Sequence, residues 1–390
     1  MLNRLDQQPP DALLALIKLY EADPRPDKID LGVGVYRTAE GATPVFAAIK
    51  AAERRLVNEQ RSKAYLGPEG DMGFVRALIP VIFGAATATG DIDGMQTPGG
   101  TGGVRLALAV ARRAGVRRIL MGTPSWPNHA QIIADLGLEL VPFAHASADG
   151  TADLGALRAA LSTAGAGDAV LLHGCCHNPT GVDYSDAQWD EIARLLADAG
   201  VLPLIDLAYQ GLGRGLEEDS YGTRAVLARA PEALVAYSCD KNFGLYRDRV
   251  GALYVMAQGD AALARIMSHG MALARATWSM PPDHGAAAAR LVLEDPALEG
   301  QWREELASMR GRIGAMRAAL AGRGRVGALD LSPLGRQFGM FAILPLSGEQ
   351  IHSLCADHGV YMAGSGRINV AGLTTGNLDR FTAALAQVAG

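Results

Sequence analysis

The stretch Ala233-Leu-Val-Ala-Tyr-Ser-Cys-Asp-Lys241 passes from an apolar run, residues 233–237, into a lysine. The chain has five lysines and 31 arginines, so a lysine here is not part of a general preference for lysine. An arginine would keep its proton, whereas a lysine can lose it and become an amine nucleophile. The alternative is a lysine at a strand end that only extends its charge into solvent. Its surroundings in the chain favour the nucleophile.

Apolar runs like 233–237 recur along the chain, and helical segments separate most of them. Predicted helices are 104–113, 131–136, 154–161 and 186–199, each followed by a predicted strand at 118–121, 138–142, 169–173 or 201–205. A further strand is predicted at 250–255. Helix–strand repeats with continuous apolar strands predict a mostly parallel sheet covered by helices on both faces. The predicted fold class is α/β, with a large domain over residues 46–300.

The sequence beyond the large domain predicts a smaller α+β domain, made of residues 1–45 and 301–390. It contains a long helical run at 299–322 and short strands at 340–344 and 367–370. Near the N-terminus, the periodicity predicts a helix over 11–20, an extended segment over 31–37 and another helix over 47–58.

Composition excludes several classes of partner. The net charge of −5, with no long basic run, argues against nucleic acid. No apolar run approaches 18 residues, so we expect no membrane span. The first ten residues lack the apolar core of a secretory signal, and four cysteines are too few for a disulfide framework. We therefore expect a cytoplasmic protein.

Two loops at predicted strand ends offer anion-binding groups. Residues 96–103, Gln-Thr-Pro-Gly-Gly-Thr-Gly-Gly, run into a helix, whose free N–H groups and Thr101 hydroxyl suit an anion. A plain glycine-rich turn is an equally good interpretation of that loop. The second loop contains Asn178-Pro-Thr-Gly181, where the Asn178 amide can donate to an anionic oxygen. A metal site formed by His173, Cys175, Cys176 and His177 is a weaker alternative, because the spacing is unlike that of zinc sites.

Two further loops supply opposite charges. Asp206 ends the strand 201–205, and a carboxylate there needs a cation unless it only caps a turn. Ser238, Lys241 and Arg249 follow the strand 233–237, and the permanent charge of Arg249 suits a phosphate. Pyridoxal phosphate needs this combination, because it requires a lysine, an acid beside its pyridine nitrogen and a phosphate anchor. The sequence therefore predicts pyridoxal phosphate as the cofactor.

Several motifs together resemble the class I aminotransferases of the aspartate and aromatic amino acid group, which have the fold-type I architecture. The resemblance covers nearly the whole chain, from 31–37 to Ala363-Gly-Ser-Gly-Arg-Ile-Asn-Val-Ala-Gly372. The motifs are Gly99-Gly-Thr-Gly102, Pro124-Ser-Trp-Pro-Asn-His129, Asn178-Pro-Thr-Gly181, Asp206-Leu-Ala-Tyr-Gln-Gly211 and Lys241-Asn-Phe-Gly-Leu-Tyr246.

The resemblance implies a transamination in which a donor amino acid converts the cofactor to its pyridoxamine form and 2-oxoglutarate restores it. Lys241 would form the Schiff base and move the proton, Asp206 would pair with the ring nitrogen, and Tyr209 and Asn178 would bond the phenolic oxygen. Trp126 would stack on the ring, and His129 would orient Asp206. The phosphate would be held by Gly100, Thr101, Ser238, Arg249 and, from a second subunit, Tyr65.

Substrate contacts are also implied by the resemblance. Arg367 would bind the α-carboxylate, and Gly34, Trp126 and Asn178 would lie beside the substrate. Arg275 would reach a side-chain carboxylate from the partner subunit of a homodimer with shared active sites. The expected partners are therefore a small amino acid, a 2-oxo acid and a second copy of the chain.

Departures from the family pattern affect both phosphate and substrate. Asp240 stands where the family commonly has serine, so it either turns away from the phosphate or weakens its binding. Met280 and Ala64 replace asparagines that are common in aspartate-preferring members. The more apolar pocket leans toward aromatic donors, while Arg275 still accepts dicarboxylates.

Four other functions compete with this interpretation. The first is an aspartate-preferring aminotransferase, and the second is a different pyridoxal phosphate reaction, such as β-elimination, on the same fold. A weakly active, cofactor-binding regulator is the third, favoured only by Asp240. The fourth is a serine acyl-enzyme using Ser238-Cys-Asp-Lys241, which would require this motif to open a helix and a Lys-Thr-Gly motif that is absent from the sequence.

Overall fold

The computed structural model describes residues 2–7, 12–84 and 91–390. The first residue of the helix predicted over 11–20 and part of the N-terminal decapeptide lie outside these ranges. The chain divides into two compact units. The larger contains Pro44–Arg312 and Arg336–Gly339, and the smaller contains Met1–Thr43, Ile313–Gly335 and Met340–Gly390. The division predicted from the sequence falls at residues 45/46 and 300/301.

The strands, in chain order, are β1 (Ile29–Asp30), β2 (Ile92–Pro98), β3 (Arg118–Thr123), β4 (Glu139–Ala144), β5 (Asp168–His173), β6 (Leu202–Leu207), β7 (Glu232–Ser238), β8 (Val250–Ala257), β9 (Arg325–Val326), β10 (Leu329–Asp330), β11 (Phe341–Ile343), β12 (Val360–Tyr361) and β13 (Arg367–Asn369). The helices are α1 (Ala12–Ala22), α2 (Ala47–Glu59), α3 (Met72–Phe83), α4 (Gly99–Arg113), α5 (Pro127–Asp135), α6 (Leu154–Leu161), α7 (Asp186–Ala199), α8 (Leu216–Asp219), α9 (Tyr221–Leu227), α10 (Asp260–Thr277), α11 (His284–Glu294), α12 (Pro296–Ala321), α13 (Gly348–Ala356) and α14 (Leu378–Val388).

A seven-stranded sheet forms the centre of the larger unit, in the order β2-β8-β7-β6-β5-β3-β4. Five neighbouring strands, from β4 to β7, are parallel, and β8 runs antiparallel to both β7 and β2. The residues of the central strands β5, β6, β7 and β8 are mostly buried on both faces, as their apolar sequences predict, whereas the edge strand β4 is mostly exposed or half-buried. The predicted α/β fold class with a mostly parallel sheet is confirmed.

Helix α4 lies close to the sheet because small residues allow it. A Cβ added at Gly103 would lie 3.1 Å from the Ala252 carbonyl oxygen and 3.2 Å from the Ala236 Cβ. Leu106 and Leu108 of α4 belong to the core that includes the central strands. The strands that carry the predicted site residues are therefore held in a tightly packed layer.

Six elements described in the larger unit have no counterpart in the sequence prediction: β2, α3, α8, α9, α10 and α11. Strand β2 is an edge strand whose sequence, Ile-Asp-Gly-Met-Gln-Thr-Pro, is not a continuous apolar run. The glycine-rich segment after it also differs, because α4 begins at Gly99 and not near Val104. Residues 99–103 are thus the first turn of the helix.

The smaller unit has its own core and short two-stranded sheets, one of which contains the predicted site residue Arg367. Strand β1 pairs in parallel with β12, and β11 pairs antiparallel with β13. The extended segment predicted over 31–37 is wrong, since β1 ends at Asp30. The Asp30 carboxylate accepts hydrogen bonds from the N–H groups of Gly32 and Val33, which turns the chain.

No helix within 2–7, 12–84 or 91–390 is long and apolar enough to cross a membrane.

Candidate active site

The polar residues predicted at strand ends meet at one edge of the sheet. Parallel pairing places His173 at the end of β5 opposite Asp206 of β6, and Asp206 opposite Ala236 of β7. The loop after β7 carries Lys241. Because the carboxyl ends of parallel strands share one edge of the sheet, this register produces a single polar cluster.

Lys241 lies in the loop that joins β7 to β8. The loop is closed by the antiparallel pair Ser238–Gly251 and by a hydrogen bond from Cys239 N–H to the Val250 carbonyl, 2.9 Å long. The Lys241 Nζ lies 5.2 Å from the centroid of the Tyr209 ring. The amine is thus held beside another predicted site residue.

Burial lowers the pKa of the Lys241 ammonium from its usual value. The carboxylates of Asp240 and Asp206 oppose this effect, and the Arg249 charge adds to it. A lowered pKa increases the fraction of neutral amine, which is the form that attacks a carbonyl or accepts a proton. The geometry therefore suits the predicted role of Lys241.

The residues after Lys241 are anchored by aromatic packing that the sequence did not indicate. The indole Nε1–H of Trp302 donates to the Asn242 carbonyl at 2.7 Å, and the Trp302 ring stacks on Phe243 with centroids 4.5 Å apart. The Asn242 side chain in turn donates to the Tyr237 hydroxyl at 2.8 Å. Trp302 lies 60 residues from Asn242 in the chain, so no local pattern could have revealed this contact.

Asp206 is held by a buried histidine. The Nε2–H of His129 donates to Asp206 Oδ2 at 2.9 Å, and Ser125 Oγ lies 2.9 Å from both His129 Nδ1 and His173 Nε2. Helix α5 begins at Pro127 and so positions His129 in its first turn, with the ring of Trp126 edge-on at 5.0 Å. The contact predicted between His129 and Asp206 is present.

The second carboxylate oxygen of Asp206, Oδ1, is buried and has no hydrogen-bond partner among the described residues. Burying a carboxylate oxygen without a hydrogen bond costs folding free energy, so such an atom normally accepts a hydrogen bond from a bound ligand or water. A protonated nitrogen of a bound ring would supply that donor.

Four imidazoles, three of them buried and that of His173 half-buried, form a row that begins at His129. His129 and His173 have ring centroids 5.0 Å apart, His173 and His177 4.2 Å, and His177 stacks on His145 at 3.5 Å. Burial lowers the pKa of His145 to about 4 and also lowers those of His173 and His177. These three rings therefore stay neutral near pH 7, so the row adds no positive charge from them near Asp206.

The predicted anion cradle is built by residues from two segments. Gly99 opens α4 with a φ of +70°, and a Cβ added at Gly100 would lie 2.8 Å from the Ser238 Cβ. Arg249 reaches the same place, because a Cβ on Gly99 would lie 2.6 Å from its Nη2. The N–H groups that open α4, together with this guanidinium, form a site suited to a phosphate.

Asp240 lies inside this cradle. Its Oδ2 is 2.6 Å from Arg249 Nη1 and 3.9 Å from Lys241 Nζ, and its side chain is 4% exposed. In this structure the Asp240 side chain points toward the phosphate-binding groups, which is the arrangement expected to weaken phosphate binding.

Asn178, the other predicted contact of the cofactor, is buried in the loop after β5, and its peptide bond to Pro179 is cis. Asp183 organises this loop, since its carboxylate accepts hydrogen bonds from the N–H groups of Cys176 and His177.

The remaining predicted site residues lie elsewhere in the chain. Within the smaller unit, the Arg367 guanidinium donates to the Gly32 carbonyl at 2.9 Å and lies over the Phe341 ring at 4.5 Å. The same ring would meet a Cβ on Gly34 at 3.0 Å. Phe341 therefore fixes the surroundings of both predicted substrate contacts, a role that its sequence did not indicate.

On the surface of the larger unit, Tyr65 is 94% exposed, and the exposed Arg275 donates to Ser279 Oγ at 2.7 Å. Met280 Sδ lies 3.0 Å from the Leu66 backbone nitrogen. The structure thus brings Met280 next to the segment that carries Tyr65 and Ala64.

The weaker alternatives from the sequence are not supported by the geometry. Of the four residues considered for a metal, only Cys175 and Cys176 fall into a possible metal cluster within the described residues, and its third member is Asp219. The Asp219 carboxylate already accepts hydrogen bonds from the N–H groups of Gly211, Gly213 and Arg214. The serine acyl-enzyme is also disfavoured, since Ser238 ends a strand and does not open a helix.

Comparison with known proteins identifies the family. Residues 26–385 match the family model described as aminotransferase class I and II. The chain belongs to the class I and II aminotransferases. This aminotransferase is 50% identical to the tyrosine aminotransferase of Rhizobium meliloti (strain 1021), over 96% of its own length and 97% of that protein. It is 42% identical to the aspartate aminotransferase of Escherichia coli (strain K12), with both chains fully covered.

Solved structures agree with this assignment. A structure titled as an aromatic amino acid aminotransferase with 3-indolebutyric acid superimposes with a TM-score of 0.95 at 41% identity, with full coverage of both chains. The aromatic-amino-acid aminotransferase of Burkholderia pseudomallei, titled as covalently bound to pyridoxal phosphate, gives a TM-score of 0.96 at 34% identity, also with full coverage. The family and the enzyme class predicted from the sequence are confirmed.

Pyridoxal phosphate is the cofactor that the family implies, and the residues present fit it. Asp206 Oδ1 lacks a partner among the described residues, Lys241 supplies an amine of lowered pKa, and the glycines at the start of α4 leave space that a Cβ would fill. A ring nitrogen, an aldehyde and a phosphate are the three groups that such an arrangement can hold.

Proposed function

We propose that this aminotransferase moves an amino group between an aromatic amino acid or aspartate and 2-oxoglutarate, with aromatic donors slightly favoured. The observation that carries the proposal is the pairing of two features at one edge of the sheet. Lys241 is an amine whose pKa is lowered by burial, and Asp206 is a carboxylate bonded to His129 on one oxygen and open to a donor on the other. Proton transfer at a carbon next to an amine needs both groups.

Pyridoxal phosphate, when bound, supplies an aldehyde that reacts reversibly with amines and a ring that withdraws electrons from the neighbouring carbon. The chain supplies the remaining functions. The neutral Nζ of Lys241 would accept the α-proton of the amino acid and return it to the carbon on the other side of the substrate nitrogen. Asp206, held by His129, would keep negative charge beside the ring nitrogen, and Tyr209 and Asn178 would donate to the phenolic oxygen of the cofactor.

Other residues hold the cofactor and the substrate in place. Trp126, whose ring is edge-on to that of His129, would cover one face of the cofactor ring. The phosphate is bound by Gly100, Thr101, Ser238 and Arg249. On the substrate side, Arg367 binds the α-carboxylate and Gly34 lies beside the substrate. Bidentate binding by an arginine fixes both the position and the orientation of a carboxylate.

Donor preference follows from the surface residues of the larger unit. Arg275 is exposed, and within the described residues its guanidinium has only Ser279 as a hydrogen-bond partner, so it is open to a side-chain carboxylate. Met280 and Ala64 are apolar or small, which favours an aromatic side chain over a hydrogen-bonding one. Both donor classes are therefore accepted, with a modest preference for aromatic donors.

We further propose a cytoplasmic homodimer with shared active sites. The side chain of Tyr65 is 94% exposed in the single chain, which is unusual for an aromatic residue and is explained if it reaches the phosphate of a partner subunit. Arg275 would reach the partner's substrate in the same way. All four cysteines are free, which suits a reducing compartment.

A donor panel tests the proposal. The purified full-length enzyme with pyridoxal phosphate should be yellow. It should lose this colour when phenylalanine, tyrosine or aspartate is added, and regain it when 2-oxoglutarate is added. Release of ammonia without a 2-oxo acid would show an eliminating enzyme instead. A protein that ignores added pyridoxal phosphate would contradict both.

Reduction with borohydride then locates the amine. Peptide mapping should find the cofactor on Lys241. As matched variants, Lys241→Ala should abolish labelling, and Lys63→Ala, which removes an exposed lysine, should not. A label that stays in Lys241→Ala would refute the assignment.

A further inference from the structure

Asp240 contacts the same groups that the proposed function assigns to binding the cofactor phosphate. Its Oδ2 lies 2.6 Å from Arg249 Nη1, and its Oδ1 is buried without a hydrogen-bond partner in the described part of the chain. The pair lies against the first residue of α4, because a Cβ on Gly99 would be 2.6 Å from Arg249 Nη2 and 3.2 Å from Asp240 Oδ2. The carboxylate and the phosphate thus need the same space and the same cation.

The backbone leaves Asp240 little freedom to avoid this position. Its N–H contacts Ser238 Oγ at 3.3 Å, and the preceding Cys239 is tied to β8 through its bond to the Val250 carbonyl. Arg249 is fixed as well, since its φ is +55° and its Nη1 also donates to the Tyr246 carbonyl at 3.1 Å. Relief must therefore come from rotation of the two side chains.

Charge sets the direction of the effect. A phosphate monoester carries close to two negative charges at pH 7, and a carboxylate a few ångströms away repels it. The positive charges that face Asp240 are Arg249 and Lys241, and the second of these is neutral when it acts as an amine. Arg249 is thus the cation for which the carboxylate and the phosphate compete.

We propose that Asp240 competes with the cofactor phosphate for Arg249, so that this enzyme binds pyridoxal phosphate more weakly than it would with serine at position 240. Loading then requires the Asp240–Arg249 pair to open, and the loaded fraction of the enzyme follows the free concentration of cofactor. The inference rests on the proposed function only in taking pyridoxal phosphate as the ligand.

The test compares an aldehyde that has the phosphate with one that lacks it. Full-length enzyme stripped of cofactor is titrated with pyridoxal phosphate and, separately, with pyridoxal, and each Kd is read from absorbance. The variants are Asp240→Ser and Asp240→Asn, the second of which keeps the shape of the side chain. Asp248→Asn is the control, because it removes the same charge from the same loop outside the Asp240–Arg249 pair.

We expect both Asp240 variants to lower the Kd for pyridoxal phosphate at least tenfold, which is ~1.4 kcal/mol of binding free energy. The Kd for pyridoxal should change less than twofold, and Asp248→Asn should match the wild type for both aldehydes. Inorganic phosphate should also compete with pyridoxal phosphate at lower concentrations in Asp240→Ser than in the wild type.

Two results would overturn the inference while leaving the proposed function intact. One is an equal change in the Kd of both aldehydes, and the other is weaker binding of pyridoxal phosphate by both Asp240 variants, which would make Asp240 a support for Arg249. If neither aldehyde bound to the wild type, the proposed function and this inference would both fail.

Discussion

The buried imidazole of His145, at the end of the row of histidines, should make the enzyme less stable to unfolding at acid pH. Its Nε2–H donates to the Val182 carbonyl at 2.7 Å, and its ring stacks on His177 with planes 10° apart. Burial lowers the pKa of His145 from its usual 6.5 to about 4. The variant His145→Gln isolates this effect, since glutamine keeps an N–H donor for Val182 and cannot titrate.

The sign follows from proton binding in the two states. Between pH 6.5 and about 4, the unfolded chain binds a proton at His145 and the folded chain does not, so acid favours unfolding. The stability contribution of neutral His145 is complete above pH 6.5 and is lost as the pH falls toward 4. Integrating between these pKa values, the loss on going from pH 7.5 to pH 5 is about 2 kcal/mol.

Urea unfolding followed by fluorescence at both pH values measures this loss. The decrease in the free energy of unfolding should be about 2 kcal/mol smaller in His145→Gln than in the wild type. His352→Gln, which removes an imidazole from the exposed side of α13, should keep the wild-type decrease. If His145→Gln and the wild type lost the same free energy, the burial argument for this ring would be refuted.

Three further predictions concern substrate and stability. Arg275→Ala should lower kcat/KM for aspartate and glutamate about 10–100-fold, because hydrogen bonds to a charged group are lost. The kcat/KM values for phenylalanine and tyrosine should fall far less. Equal losses for all four donors would show that Arg275 does not recognise the side chain. Met280→Asn should raise the kcat/KM ratio of aspartate to phenylalanine about tenfold, and an unchanged ratio would show that position 280 does not set the preference. Trp302→Phe removes the bond to the Asn242 carbonyl, and urea unfolding should show a loss of about 1–2 kcal/mol, whereas wild-type stability would mean that the bond contributes nothing.

The sequence was sufficient where function depends on the ends of strands. Asp206 and Lys241 follow apolar runs, and parallel pairing necessarily brings such ends to one edge of a sheet. The contact of His129 with Asp206 was also predictable, but only through the family motif that contains His129. Nothing in the local pattern of α5 points at β6.

The sequence was insufficient where partners are distant or charges compensate each other. Trp302 meets Asn242 because α12 packs on the loop after β7, and this depends on tertiary packing and not on periodicity. Asp240 was recognised as a departure, yet its ion pair with Arg249 required side-chain positions. Strand β2 was missed because an edge strand with an exposed aspartate does not give an unbroken apolar run.

The hairpin formed by β7 and β8 has a consequence for how such enzymes change. Both Lys241 and Arg249 lie within one short segment whose ends are locked together by the pair Ser238–Gly251. Residues such as Arg275 and Met280, which are proposed to choose the donor, come from separate parts of the chain. After gene duplication, substitutions can therefore change which amino acids the enzyme accepts as donors, while the segment that carries Lys241 and Arg249 stays unchanged.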